Sequence, residues 1–257
     1  MGADKLVLCL ITGPSGSGKT SMALELQKNL LGNPLLLSDK PDAKRSASVI
    51  VIHQDFYFTK PFLPYKNRID DSYENSSGID WDSLLADVDS GLTETSGEET
   101  DNTNKLNCGI NGIGDVGVKI VIVEGHLLGD AAAHFRRRIL ERKNIGVVTV
   151  LLKGCSQETC RRRRLERKKD RSEVERKELA SYIDTFVWPS YLKYGIHAMD
   201  SLRRELVGLE MANRIDKDVH CPKPHSGVLI EISNSDGASL EAHSETISNQ
   251  IYSILQD

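Results

Sequence analysis

The chain has 257 residues, 39% of them apolar and 27% charged, with a formal net charge of −4. That length suits one large α/β domain, and the negative balance argues against a general nucleic-acid binder. The longest apolar runs, LVLCLI at 6–11 and VVTVLL at 147–152, fall short of the roughly 20 residues of a membrane span.

In chain order, Lys5 to Ile11 predicts a strand, and 18–31 a helix with apolar Met22, Leu24, Leu26 and Leu30. Residues 33–47 read as a loop, Val49 to His53 as a second strand, and 59–80 as a surface excursion with Pro61 and Pro64. A helix starts near Trp81–Leu85. Residues 89–117 are rich in Gly, Ser, Thr, Asn and acid and show no amphipathic period, which predicts a flexible insertion. Strands follow at 119–123 and 146–152, with a basic helix near 131–143 between them. A basic helix spans 156–170, a helical region covers 173–207 with Pro189 breaking or restarting it, and a last strand at Gly227–Ile232 precedes a terminal helix. Strands that are near-continuous apolar runs, alternating with helices, predict a parallel five-stranded sheet covered on both faces.

The five cysteines are odd in number and show no CxxC spacing, which predicts reduced thiols in a cytoplasmic protein. The N-terminus leads directly into a strand, so no secretory leader is expected.

The segment GPSGSGKT comprises Gly13, Pro14, Ser15, Gly16, Ser17, Gly18, Lys19 and Thr20. It fits G-x-x-x-x-G-K-[ST] and sits between an apolar strand and a helix start, as a phosphate-binding loop requires. Glycines let backbone N–H groups approach phosphate, Lys19 reaches the β- and γ-phosphates, and the Thr20 hydroxyl can ligate Mg²⁺. A second acid is expected near the metal, and KIVIVEG supplies Glu124 at a strand end, where it serves the metal or caps the next turn. The guanine-reading Asn-Lys-x-Asp pattern of GTPases is not matched by NKLN at 104–107.

A kinase also needs an acceptor site. VIVIHQDFYF brings Asp55 to the mouth of a buried strand, beside Phe56, Tyr57 and Phe58. There a carboxylate can accept a hydroxyl proton and touch the metal, and the rings can wall off a heterocycle or simply pack. Asp80, Trp81 and Asp82 can hold a ribose diol below a stacked base, or can be helix-start acids. CRRRRLERKKDR holds eight basic residues from Arg161 to Arg171. Arg163 and Arg167 share a helix face, with Arg164 beside it, so the run reads as a lid over triphosphate or as a solvated basic face.

GPSGSGKT, IHQDFYF, DWDSLL, IVEGHLL, CRRRRLER and YIDTFVWPSYLKYG occur in the order seen in the uridine kinase-like P-loop kinases, which the chain resembles over most of residues 5–195. DTFVWPSYLKYG, Asp184 to Gly195, points to the nicotinamide riboside kinase branch. The resemblance implies a single P-loop kinase domain over 1–257 with a basic lid at 156–180. It implies transfer of the ATP γ-phosphate, with Mg²⁺, to a riboside 5′-hydroxyl. The acceptor would be nicotinamide riboside, giving its mononucleotide for NAD synthesis, or alternatively uridine or cytidine. A nucleotide-binding regulatory protein without kinase activity is a third reading.

By resemblance, Asp55 is the proton acceptor and, with Thr20 and Glu124, a metal contact. Phe56 to Phe58, Trp81 and Asp82 line the nucleoside. Arg163 and Arg167 meet ATP phosphates, Arg164 faces the acceptor, and Ser239, Leu240 and Glu241 lie near adenine. The partners implied are small molecules, with no nucleic acid or membrane among them. The family commonly has a second Asp where this chain has Phe56.

Overall fold

The computed structural model describes residues 5–33, 46–93, 105–107, 116–141, 145–215, 227–233 and 239–256. Its frame is a six-stranded sheet of β1 (Lys5–Thr12), β2 (Ser46–His53), β3 (Lys105–Asn107), β4 (Val116–Gly125), β5 (Ile145–Lys153) and β6 (Gly227–Ser233). The strand order is β3-β2-β4-β1-β5-β6. Five strands run parallel, and β3 pairs antiparallel on the outside of β2. With helices on both faces, this is the α/β fold of P-loop NTPases.

The period of two in β1 builds two cores. Leu8 and Leu10 point to one face, where they join Leu84 and Val88 of α2 (Trp81–Thr93), Phe135 and Ile139 of α3 (Ala132–Glu141) and Leu202 of α7 (Ile196–Ile215). Val7, Cys9 and Ile11 point to the other, against Met22, Leu26 and Leu30 of α1 (Lys19–Leu31) and Ile247 and Ile251 of α8 (Leu240–Gln256). Because both faces are covered, the strands need no polar side, which explains their continuous apolar runs.

Three boundaries differ from expectation. Helix α2 continues to Thr93, and Lys105–Asn107 forms a strand, so both enter the stretch predicted as a flexible insertion. The short β3 is invisible to periodicity because three residues carry no period. The rest of that stretch, like residues 34–45 of the predicted loop, lies outside the described residues.

The third difference is at Pro189. The chain does not break there but runs helically from α5 (Glu173–Tyr182) through α6 (Trp188–Ser190) into α7. Two π turns, Ile183–Val187 and Tyr191–Gly195, flank α6. The Trp188 N–H bonds to the Ile183 carbonyl oxygen, five residues back, and this wider turn accommodates the proline without ending the helix.

The basic stretch forms α4 (Gln157–Glu166), capped by Ser156, and α5 begins on a Ser172–Glu175 capping box. Asp184, in the first π turn, accepts from Arg161 Nε at 3.1 Å and from Gln157 Nε2 at 3.3 Å, tying the long helical segment back to α4. Among the described residues no helix is long and apolar enough to cross a membrane.

Candidate functional site

Parallel strands deliver their C-terminal ends to one edge, and the strand order sets three of those ends in a row. The loop Gly13 to Gly18 leaves β1, Glu124 stands near the end of β4, and Asp55 follows β2. Gly16 and Gly18 have φ of 85° and 90°, a left-handed backbone that glycine adopts readily. A Cβ on Gly16 would stand 2.7 Å from the Cys160 carbonyl oxygen, so the loop and α4 pack backbone to backbone. Gly18 begins α1 with no side-chain cap, which leaves the positive end of the helix dipole facing the loop.

Lys19 Nζ donates to the Pro14 carbonyl oxygen at 3.1 Å. Burial lowers its pKa from the ordinary lysine value, Glu124 and Asp55 push it back up, and Arg167 and Arg164 lower it. Thr20 Oγ1 donates to Glu124 Oε1 at 2.9 Å, and His53 Nδ1 lies 2.8 Å from the same oxygen. Gln54 Oε1 accepts from the backbone N–H groups of His126 (3.0 Å) and Leu127 (3.2 Å), stitching the end of β2 to the end of β4.

Around this corner lies a cleft. Ser15, Lys19, Thr20 and Glu124 line it from the loop and β4, Arg164 and Arg167 come from the basic stretch, and Asp55, Phe58, Phe62, Tyr73, Glu74 and His126 complete its wall. Arg164 Nη1 donates to Ser15 Oγ at 2.8 Å, so α4 already touches the loop. The Phe62 and Tyr73 rings stack at 5.7 Å, and Phe58 meets Phe62 edge-on at 5.5 Å. Arg68 also lines the cleft, with its guanidinium 4.6 Å from the ring centres of Tyr65 and Tyr73 and its Nε on the Leu63 carbonyl oxygen.

Glu74 is buried in this wall and accepts from the Tyr182 hydroxyl of α5 at 3.0 Å. Burial raises its carboxyl above the ordinary range, against the opposing pull of Arg164, the Tyr182 bond and Arg68. His126 Nε2 lies 4.0 Å from Glu74 Oε2. Burial, then Lys19, hold the His126 pKa down to about 4, so the imidazole is neutral near pH 7.

The oxygen set fits Mg²⁺. Thr20 and Glu124 are within hydrogen-bond reach of each other, Asp55 faces the same cleft, and all three offer hard oxygen ligands. Among the described residues no three His, Cys, Asp or Glu side chains form a metal cage.

The cleft gathers Ser15, Gly16, Gly18, Lys19, Thr20, Asp55, Phe58, Glu124, Arg164 and Arg167 from the residues singled out in the sequence. Others stand elsewhere. Tyr57 is core, with its hydroxyl on Asp87 Oδ2 at 2.6 Å, and Phe56 is exposed, edge-on to His53 at 5.5 Å. Trp81 and Asp82 are not among the lining residues. Asp80 accepts from Ser83 N at 3.0 Å and so starts α2, while the Trp81 indole donates to the Ser76 carbonyl oxygen at 3.1 Å. Tyr73 and Glu74 line the cleft instead.

Arg163 does not line the cleft, and its Nη1 lies 3.8 Å from Cys155 Sγ. Ser239 accepts from Ala242 N at 3.2 Å and donates to Glu241, so it starts α8, and neither it nor Leu240 nor Glu241 lines the cleft. Sequence reasoning passed over His53, Gln54, Arg68, Glu74, His126 and Tyr182. The available signals were the polar His-Gln pair closing an apolar strand and the acid following Tyr73 in a stretch poor in apolar residues.

No curated protein matches the chain. Among solved structures it is similar to a gluconokinase from Sinorhizobium meliloti 1021, with 13% identity over 99% of this chain and 98% of that one and a TM-score of 0.41. It is also similar to a shikimate kinase from Bacteroides thetaiotaomicron, with 12% identity over 98% of this chain and 99% of that one and a TM-score of 0.38. At these scores neither likeness bears on activity. A family match does reach across the phosphate loop, both acids and the lid, covering residues 9–184: the chain belongs to the AAA domain family.

Proposed function

We propose that the protein is a P-loop kinase that transfers the γ-phosphate of ATP to the 5′-hydroxyl of nicotinamide riboside, giving nicotinamide mononucleotide. The observation that carries this reading is that Asp55 and Lys19 line one cleft, with an aromatic and acidic wall beyond Asp55. Asp55 takes the proton of the acceptor hydroxyl as that oxygen bonds to the γ-phosphorus and the bond to the leaving ADP breaks. Lys19, Arg164 and Arg167 meet the charge on the moving phosphoryl group. Thr20, Asp55 and Glu124 would hold Mg²⁺, which neutralises phosphate charge when bound.

The rings of Phe58, Phe62 and Tyr73, with the buried carboxyl of Glu74 beside them, offer a flat heterocycle an apolar surface to pack on. Tyr73 and Glu74 therefore replace Trp81 and Asp82 as the nucleoside contacts. The motif DTFVWPSYLKYG supports the same acceptor by resemblance. The test is a panel of nucleosides incubated with ATP and Mg²⁺ and scored by product mass. Phosphorylation of nicotinamide riboside in preference to uridine and cytidine is expected, and uridine phosphorylated with nicotinamide riboside ignored sinks the reading.

A further inference from the structure

His53 is a buried imidazole to which the reaction above gives no part. The register of the sheet makes it the direct cross-strand neighbour of Glu124. Both side chains are buried, and His53 Nδ1 approaches Glu124 Oε1 at 2.8 Å. An ionised carboxylate only accepts, so Nδ1 carries the proton. The Thr20 hydroxyl donates its own proton to that same oxygen at 2.9 Å.

Two donors from two different elements thus converge on one carboxylate oxygen. They fix the plane of the carboxylate and leave Oε2 to a cation. The Thr20 proton is committed to Glu124, which leaves the lone pairs of Oγ1 for the same cation. Phe56 lies edge-on to the His53 ring, with centroids 5.5 Å apart and planes at 84°, and holds the ring from outside the cleft.

We infer that His53 is a positioning residue for the metal site: it orients Glu124, and through Glu124 the hydroxyl of Thr20, before any cation arrives. This rests on the reading that Thr20 and Glu124 hold Mg²⁺. Donors behind metal ligands typically contribute 10- to 100-fold in metal affinity.

The test measures binding rather than turnover. Mn²⁺ is titrated into the full chain with a non-hydrolysable ATP analogue, and free Mn²⁺ is read by electron paramagnetic resonance. His53→Ala is expected to weaken Mn²⁺ binding by about 10- to 100-fold. His53→Asn, whose amide nitrogen occupies the place of Nδ1, is expected to recover most of that loss. His53→Gln, whose amide reaches the place of Nε2, is expected to bind as weakly as the alanine variant. Binding of a fluorescent ATP analogue in EDTA should be the same in all four proteins.

Mn²⁺ affinity unchanged in His53→Ala, with Glu124→Gln weakened, overturns the inference. So does equal loss in the asparagine and glutamine variants, a comparison that holds even where the alanine variant fails to fold. If no riboside is phosphorylated, the proposed activity fails, while the Mn²⁺ series still decides the part played by His53.

Discussion

Tyr182 of helix α5 donates its hydroxyl to Glu74 of the cleft wall at 3.0 Å, and both residues are buried. The excursion after β2 is thereby hydrogen-bonded to α5 at the cleft. Tyr182→Phe removes the donor and leaves a buried carboxyl short of a partner. A loss of about 1–3 kcal/mol in unfolding free energy is expected, read by urea denaturation. Burial holds the Glu74 pKa above its ordinary value, so between the two values the folded state binds more protons than the unfolded one. Stability therefore falls as pH rises through that window, and Glu74→Gln should flatten this part of the stability–pH curve.

Asp55→Ala tests the proton acceptor. A general base typically supplies 10²–10⁴-fold, so turnover should fall by about that factor while ATP binding is retained. Stopped-time assays alongside nucleotide titration separate the two quantities. Unchanged turnover removes Asp55 from the chemistry.

The His126 imidazole titrates at about 4 in the folded state, against 6.5 for an ordinary histidine. The unfolded chain therefore binds more protons between these values, and stability should fall as pH drops from 6.5 toward 4. His126→Gln has no such proton to take up. Urea melts at a series of pH values should show a shallower acid-side slope for the variant.

Gly16→Ala asks two things of the phosphate loop that it cannot give. A residue with a side chain resists a φ of 85°, and the new Cβ would stand 2.7 Å from the Cys160 carbonyl oxygen. The backbone strain alone costs about 1–2 kcal/mol. Loss of ATP binding is expected with that destabilisation, measured by nucleotide titration and thermal melting. Wild-type binding in the variant would show that the loop does not need this conformation.

The phosphate side was legible in the sequence because its groups are local. Gly13 to Thr20 is one contiguous motif, and Asp55 and Glu124 each close an apolar run, so the parallel sheet alone carries them to a common edge. The aromatic wall was not, because 59–80 has no period and its residues are brought in by contacts distant in sequence, such as Tyr182 to Glu74 and Tyr194 to Asp71. The pair Trp81–Asp82 drew attention as a ring beside an acid. The cap at Asp80 starts α2 there and turns the indole to Ser76 instead. On α4, sharing a helix face did not decide which arginine enters the cleft. Arg164, three residues before Arg167, lies on a neighbouring face that the helix also brings inward, and Arg163 meets Cys155.

Gln54 carries a further consequence. Its side-chain oxygen holds two successive N–H groups beyond β4, and a Cβ on Gly125 would come within 2.5 Å of that oxygen. The chain segment bearing Asp55 and the one bearing Glu124 are therefore riveted together, one residue from Asp55 and two and three residues from Glu124. Their spacing is set when the protein folds. The arginine-bearing helix α4 meets this frame at the phosphate loop, through Arg164 on Ser15 and the close approach of Gly16 to the Cys160 backbone.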